Sequence, residues 1–192
     1  MQGLRYCVAH TLTGRYTEKV RMKLVVPSTR YQDSYIEMIE EFMDNEEAFV
    51  PFVLGEDYSD FPSMIERLNA YSKGEQMPDG FVAHSSFWLI DENEQVIGCS
   101  NLRHELNDSL RILGGHIGYG IKPSQRQKGN AKLILELTLP KAKRLGIESA
   151  LLIVNKANIG SVKAIEHNNG VLQSEKEVSG QTGLVRYYRI EL

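Results

Sequence analysis

Residues 114–144 constrain the fold more than any other part of the chain, because they indicate a strand, a tight turn and a helix in succession. From Gly115 to Ile121 apolar residues alternate with polar or small ones, which is the period of a β-strand. Pro123 ends that strand because it has no amide hydrogen and a fixed φ. Apolar residues recur at helical spacing from Ala131 onward, and Pro140 within this run is expected to kink the helix or weaken one turn.

The turn between this strand and helix reads Gln125-Arg126-Gln127-Lys128-Gly129-Asn130-Ala131 and predicts an anion site. The first amides of a helix lack intrahelical acceptors and carry a partial positive charge, so a helix start attracts anions. Gly129 leaves room for a ligand to approach the backbone, and Arg126 and Lys128 add mobile positive charge. Neither a P-loop nor a dinucleotide fingerprint is present. The residues alone therefore indicate a phosphate cradle or an ordinary basic helix start.

Composition and charge narrow the class of protein. The chain of 192 residues has the length of one domain with a sizeable core. Without a membrane-length apolar run or a signal peptide, it is expected to be cytoplasmic and to lack membrane contact. Cys7 and Cys99 give neither a disulfide framework nor metal spacing. Residues 31–60 contain acids but no Lys or Arg, whereas residues 122–144 are basic. A small polyanionic cofactor explains the basic segment better than nucleic acid, and the acidic segment is either a solvated helix face or a surface that favours a cationic amine.

Turn, cap and period signals over the rest of the chain predict a mixed α/β sheet. Residues 1–21 show neither period and are predicted to be an N-terminal extension of unknown role, followed by a single domain over residues 22–192. Asp60 and Asn158 are predicted helix caps. The predicted strands cover residues 23–26, 86–91, 96–102, 115–121, 149–154, 171–178 and 184–190. The predicted helices cover residues 30–43, 61–73, 131–144 and 159–168.

The pattern Arg126-x-x-Gly129-x-Ala131 resembles the R/Q-x-x-G-x-G/A motif of the GNAT superfamily of acetyl-CoA-dependent N-acetyltransferases. The residues from His116 to Ser124 resemble that family's fourth strand and its exit. The resemblance implies a GNAT fold, in which a central, mixed but mostly antiparallel sheet of about six or seven strands is flanked by about four helices. It also implies acetyl-CoA as co-substrate, no metal, and direct acetyl transfer to a primary amine of an unidentified small-molecule or peptide acceptor. The sequence does not fix the oligomeric state, and a homodimer is taken as the default.

The resemblance also assigns cofactor-binding residues. A backbone amide near Ile121 is expected to face the acetyl oxygen, and Asn158 matches the polar residue at the start of a later helix that touches the cofactor arm. The family's proton donor to the leaving thiolate is a Tyr on that helix. Counting from Asn158, the corresponding residue here is Ile165, so the sequence departs from the family pattern. The assigned cofactor-binding residues are Ile121, Lys122, Arg126, Gln127, Lys128, Gly129, Asn130, Ala131, Lys132 and Asn158.

The sequence also offers candidate acid–base residues. Glu105 could take a proton from the amine through water, and His104 and His116 have an unperturbed pKa near ~6.5 that suits a base. Each of these three also fits a surface polar residue or a satisfied hydrogen-bond partner. The candidate acids are Tyr119, Tyr187 and Tyr188. The missing Tyr keeps open a non-catalytic acetyl-CoA-binding sensor or interaction module. A protein that binds another phosphorylated ligand is a second alternative.

Overall fold

A computed structural model describes residues 5–6 and 21–192. In this part of the chain the strands are β1 Arg5–Tyr6, β2 Arg21–Val25, β3 His84–Ile90, β4 Val96–Arg103, β5 Ile117–Ile121, β6 Ser149–Asn155, β7 Val171–Glu177 and β8 Leu184–Glu191. The α-helices are α1 Gln32–Asp44, α2 Phe61–Tyr71, α3 Asp108–Ile112, α4 Asn130–Arg144 and α5 Ile159–His167. The predicted caps are confirmed, since the side chain of Asp60 accepts from the amide of Ser63 and that of Asn158 from the amide of Ser161.

Pro140 lies inside α4, and the helix continues to Arg144, the predicted end. The short helix α3 was not predicted, because five residues are too few to show a helical period. Asn107 caps α3 by accepting from the amide of Leu110. None of the helices in the described residues is long and apolar enough to cross a membrane.

The strands form two antiparallel sheets, with the orders β1-β2-β3-β4-β5 and β6-β8-β7. A single bridge between Gly115 and Leu152 joins them. Here the amide of His116 donates to the carbonyl of Leu151 over 2.7 Å. A Cβ on Gly115 would lie 2.4 Å from that carbonyl oxygen, and its φ is +65°. Glycine therefore allows the sheets to touch at this point, and β5 has an open edge beyond it.

The outer strand of the larger sheet comes from the predicted N-terminal extension. Arg5 pairs with Met22 and Tyr6 with Arg21 in an antiparallel ladder. The rest of the extension, including Cys7, lies outside the described residues. The domain boundary at residue 22 stays a prediction, but β2 has a neighbour from the preceding segment.

Helices cover the larger sheet on both faces because its strands alternate side chains between them. On one face Trp88 stacks on Tyr35 of α1 with ring centroids 4.6 Å apart. On the other face Leu89 packs with Leu133 and Ile134 of α4. The core is thus divided by the sheet, and α1 and α2 lie on the side opposite α4.

The connection between α1 and α2 lies directly over β5. A Cβ on Gly120 would be 2.0 Å from the carbonyl oxygen of Val50, and one on Gly118 would be 3.3 Å from Cβ of Pro51. We call residues 49–55 the covering segment. Gly120 is needed because the covering segment approaches the strand more closely than a side chain would permit, whereas a Cβ at Gly118 would require only a small shift of Pro51.

Candidate functional site

Strand β5 presents free backbone groups at its open edge. The amide of Lys122 donates to the carbonyl of Ile97, and the amide of Arg103 donates to the carbonyl of His116. The even-numbered residues from His116 to Lys122 therefore direct their backbone N–H and C=O groups toward β4. Because successive residues of a strand alternate in direction, the amides of Tyr119 and Ile121 point to the open edge. This edge can bind a ligand that itself carries amide groups.

The turn after β5 forms a cradle for an anion. Gln127 and Gly129 both have positive φ, +58° and +87°. Within the described residues, the amides of Gln127, Lys128 and Gly129 donate to no protein acceptor. Asn130 is buried, and its side-chain amide fixes the turn by donating to the carbonyl of Gln125 over 2.9 Å. Such a run of free amides at a helix N-terminus is a site for phosphate oxygens.

Arg126, predicted to be a mobile charge, is paired with a carboxylate in this structure. Its Nη1 and Nη2 donate to the two carboxylate oxygens of Glu47 over 2.7 and 2.6 Å, and its Nε donates to the carbonyl of Ile121 over 3.0 Å. The hydrogen bonds from Arg126 lower the pKa of Glu47. Arg126 also lies over the ring of Phe42. It therefore fastens the turn to the end of α1.

Lys122 is held in the same way. It is 6% exposed, and its Nζ lies 2.6 Å from Oε1 of Glu37 and 3.6 Å from Oε2 of Glu41. Glu41 also accepts hydrogen bonds from the amide and the hydroxyl of Ser124. Glu37, Glu41 and Glu47 of the acidic segment thus form ion pairs with Lys122 and Arg126. Neither sequence interpretation of that segment, a solvated helix face or a surface for a cationic amine, predicted these pairs. Lys128 and Lys132 stay exposed beside the cradle.

The three candidate bases lie in different surroundings. His116 accepts the amide of Leu151 at Nδ1 over 2.8 Å. Burial and nearby arginines lower its pKa to about 4, so the ring is neutral at pH 7. The lone pair of the neutral ring, on Nδ1, is occupied by the Leu151 amide. His104 bonds through Nε2 to the hydroxyl of Ser85 over 2.9 Å, and burial lowers its pKa. Glu105 is exposed.

Tyr119 is the candidate acid that reaches toward α5. Its hydroxyl donates to the carbonyl of Ser161 over 3.3 Å, in the first turn of that helix. Burial raises its pKa to about 12, so the phenol stays protonated across the neutral range. Asn158, a predicted cofactor contact, lies exposed at the same helix start. Tyr119 and Asn158 therefore both lie where α5 begins, and we call the region between β5 and the start of α5 the gap.

The other two tyrosines lie elsewhere. The hydroxyl of Tyr187 donates to the carbonyl of Ile112, the last residue of α3, over 2.8 Å. The hydroxyl of Tyr188 donates to Oε1 of Glu166 over 2.9 Å. Both side chains are buried, and both hydroxyls are already bonded to protein groups.

Ile165 belongs to the hydrophobic core. It is 2% exposed and packs in the same cluster as Leu135, Leu152 and Tyr188. Its Cγ2 would lie only 2.4 Å from a Cβ on Gly170. The residue that the count from Asn158 aligns with the family's Tyr is thus enclosed by packed side chains.

Ile165→Tyr is expected to destabilise the protein rather than add a catalytic acid. Overpacking a filled core costs typically ~1–3 kcal/mol, which for a chain of this length lowers Tm by about 2–4 °C per kcal/mol. Thermal unfolding measures the effect. Ile165→Leu, which conserves volume, is the control and should cost less than about 1.5 kcal/mol. A stable Ile165→Tyr protein with a raised kcat would contradict this placement.

The sequence interpretation missed a polar cluster beneath the covering segment. His84, Asn101 and Arg103 are all buried on the face of the sheet toward α1 and α2. Asn101 donates from Nδ2 to Nδ1 of His84 over 2.8 Å. The signal was present, since Asn101 and Arg103 follow Cys99 at the strand period and so share its inward face. Polar residues on the inward face of a buried strand need an explanation.

A two-sheet α/β domain with an anion cradle beside an open strand edge defines the class of acetyltransferase folds. The family model for the acetyltransferase (GNAT) domain matches residues 28–170, so the chain belongs to the GNAT family, as the sequence predicted. The family places the chain among acetyl-CoA-dependent acyltransferases. No group of three or more His, Cys, Asp or Glu within the described residues could hold a metal ion.

Solved structures share this fold. RimJ of Mycobacterium smegmatis, in complex with CoA-disulfide, has a TM-score of 0.64 and 16% identity, covering 90% of this chain and 82% of its own. The microcin C7 self-immunity acetyltransferase MccE, in complex with acetyl-CoA and AMP, has a TM-score of 0.63 and 14% identity, covering 92% and 94%. A dodecameric spermidine N-acetyltransferase from Vibrio cholerae has a TM-score of 0.58 and 18% identity, covering 88% and 93%. A comparison with curated protein sequences gives no match.

Proposed function

We propose that this protein is an N-acetyltransferase that moves the acetyl group of acetyl-CoA directly to a primary amine. The observation that carries the proposal is the arrangement at the end of β5, where a cradle of free amides adjoins an open strand edge. The cradle suits a pyrophosphate, and the edge suits the amides of a pantetheine arm. MccE, which shares the fold, binds acetyl-CoA.

Each part of the turn has a distinct role in this proposal. The amides of Gln127, Lys128 and Gly129 bind the phosphates, and Ala131 keeps the next turn of the helix small. The exposed Lys128 and Lys132 supply charge. Lys122 and Arg126 hold the turn in place through α1, and Asn130 fixes its shape.

The acid–base roles are assigned residue by residue. Acetyl-CoA supplies an activated thioester. We assign Tyr119 as the proton donor to the departing sulfur, because its hydroxyl lies between β5 and α5 and its pKa keeps it protonated. The amide of Ile121 donates to the developing negative charge on the acetyl oxygen. Glu105 and His104 stay the candidate bases, since the Nδ1 lone pair of His116 is occupied.

Acetyl-CoA should raise Tm strongly, whereas ATP and NAD should not. A ligand at 100 times its Kd adds ~2.7 kcal/mol to the free energy of unfolding, which is about 5–11 °C at ~2–4 °C per kcal/mol for a chain of this length. Thiol release from acetyl-CoA, measured with a panel of amines, then tests turnover. A shift with ATP or NAD but not with acetyl-CoA would favour another phosphorylated ligand.

A non-catalytic acetyl-CoA-binding module is the second candidate. It is favoured by the burial of Ile165 at the position aligned with the family's acid. The two functions predict the same thermal shift but differ in turnover. Acetyl-CoA binding without amine-dependent thiol release across the panel would support the module.

A further inference from the structure

The polar cluster beneath the covering segment contains a buried cation without an anionic partner. Arg103 is 8% exposed and ends β4. Its Nη1 donates to the carbonyls of Gly114 and Gly115 over 3.2 and 3.1 Å. Among residues 21–192 no carboxylate forms an ion pair with it, although burial lowers its pKa only to about 10. A buried charge of this kind is costly unless an anion completes it.

The guanidinium keeps donors that a ligand can reach. Its Nε and Nη2 have no acceptor in the described part of the chain. The fully buried side-chain atoms that lack a partner are instead Nε2 of His84 and Oδ1 of Asn101, so the free nitrogens of Arg103 contact solvent. Because Nδ1 of His84 accepts from Asn101, the hydrogen of the neutral ring is on Nε2. Nε2 of His84 and Oδ1 of Asn101 are themselves closed to solvent, so the donors that a ligand can reach in this region, which we call the cleft, are the free nitrogens of Arg103.

Aromatic side chains form the mouth of the cleft. The guanidinium of Arg103 lies 5.6 Å from the ring centroid of Phe52, which in turn lies 5.4 Å from the ring of Phe81. Phe52 is 36% and Phe81 50% exposed. His84, paired with Arg103 across the two strands, has its ring centroid 5.2 Å from that of Phe52. The cleft therefore combines one deep positive charge with an apolar rim.

The cleft adjoins the strand along which the acetyl group is expected. Nη1 of Arg103 would lie 3.8 Å from a Cβ on Gly118. From Gly118 to Ile121 the strand rises roughly 10 Å at ~3.3 Å per residue. An anion bound by Arg103 is therefore separated from the acetyl oxygen by about the length of an amino acid or a dipeptide.

The surrounding charges favour an anion over a polyamine in this cleft. Glu37, Glu41 and Glu47, the acids of the α1 region nearest β5, are already bonded to Lys122, Ser124 and Arg126. Arg103, Arg111 and Arg189 all lower the pKa of His116, and none forms an ion pair within the described residues. Glu105, the first acid after Arg103 in the sequence, is exposed. Its charge partly offsets the lowering of the His104 pKa by burial, and it forms no ion pair with Arg103.

We propose that Arg103 binds a carboxylate of the acceptor, so that the acceptor is an amine that also carries a carboxylate, namely an amino acid or a peptide. The planar guanidinium is suited to a carboxylate because it donates two parallel hydrogen bonds. Phe52 and Phe81 contact the apolar part of the acceptor. This assignment rests on the proposed acetyl transfer.

The test compares acceptors that differ only in the carboxylate. Thiol release is measured with the twenty amino acids, their carboxamides, dipeptides with free N-termini, and spermidine. The wild type should prefer its best amino acid or dipeptide over the matching carboxamide by about 10–100-fold in kcat/KM, as expected for a charge-assisted hydrogen bond. Free amino acids and dipeptides distinguish the two sources of the carboxylate. Arg103→Met should reduce the preference to less than about threefold.

Two controls separate this result from misfolding and from a general field effect. Arg103→Met must keep acetyl-CoA binding, and Arg103→Lys, which retains the charge, should keep part of the preference. Arg111→Met removes a charge from the same region without touching Phe52 and should leave the preference unchanged. Equal turnover of amides and acids by the wild type, or a preference for spermidine, would overturn the proposal.

A direct binding measurement keeps the proposal testable without turnover. The complex with CoA is titrated with each amino acid and its carboxamide by calorimetry. If no acceptor releases thiol, the enzymatic function fails, but carboxylate-dependent binding that Arg103→Met abolishes still supports the cleft. Equal binding of acid and amide by the wild type rejects it, whatever the activity.

Discussion

Gly129→Val should weaken acetyl-CoA binding by at least about 100-fold while the protein stays folded. Gly129 precedes α4 with φ +87°, a conformation that a β-branched residue adopts only under strain of about 1–3 kcal/mol. The cradle amides of Gln127, Lys128 and Gly129 depend on that conformation, and the new side chain would occupy the space in front of them. Calorimetric titration with acetyl-CoA measures the loss.

Gly146→Val is the matched control for this variant. Gly146 lies just beyond the other end of α4 with φ +82°, and a Cβ there meets nothing within 4 Å. The two variants should lower Tm by similar amounts, because both force Val into a left-handed conformation. Gly146→Val should leave acetyl-CoA affinity unchanged. Equal affinities in folded Gly129→Val and Gly146→Val proteins would reject the cradle.

Tyr119→Phe should lower kcat by about 10²–10⁴-fold, the range for a positioned acid, with little change in acetyl-CoA affinity. The substitution removes the hydroxyl that donates to Ser161 and keeps the ring. Losing that hydrogen bond should cost only about 1 kcal/mol of stability. Since the pKa of Tyr119 is about 12, its protonation does not change between pH 6 and pH 9, so the wild-type profile in that interval reflects other groups. Steady-state thiol release with the preferred amine measures kcat.

Tyr187→Phe supplies the control for the loss of a tyrosine hydroxyl. Tyr187 also donates to a backbone carbonyl, that of Ile112, but it does so away from the gap between β5 and α5. Its variant should keep the wild-type kcat. Loss of activity in Tyr187→Phe together with full activity in Tyr119→Phe would show that the acid is wrongly assigned.

Much of the local structure could be predicted because its causes are local. Pro123 ends a strand through its own ring, and Asp60 and Asn158 cap helices through side chains that reach amides three residues away. The anion cradle depends on Gly129 and a helix start, both visible in seven consecutive residues. The resemblance to the family motif added the expected identity of the anion, the pyrophosphate of acetyl-CoA, which the hydrophobic period of a strand or helix does not indicate.

The partners of the charged residues could not be predicted in this way. Arg126 and Glu47 are 79 residues apart in sequence, and Lys122 and Glu37 are 85 apart. An ion pair needs its atoms within a few ångströms, so it exists only once α1 has packed against the sheet. The packing of α5 against α4 and β6 buried Ile165, whose helix position was predicted while the face that it occupies was not.

The sequence by itself determined the family, the turn before α4 and the order of the strands and helices from β2 onward except α3, because short-range backbone preferences and a contiguous motif carry that information. Only the tertiary structure decided that the two sheets meet at Gly115 and that Arg126 pairs with Glu47. It also decided that Arg103 lies buried beside Phe52 without an anionic partner among the described residues. These outcomes depend on which distant surfaces meet, since burial and charge pairing are properties of the packed chain.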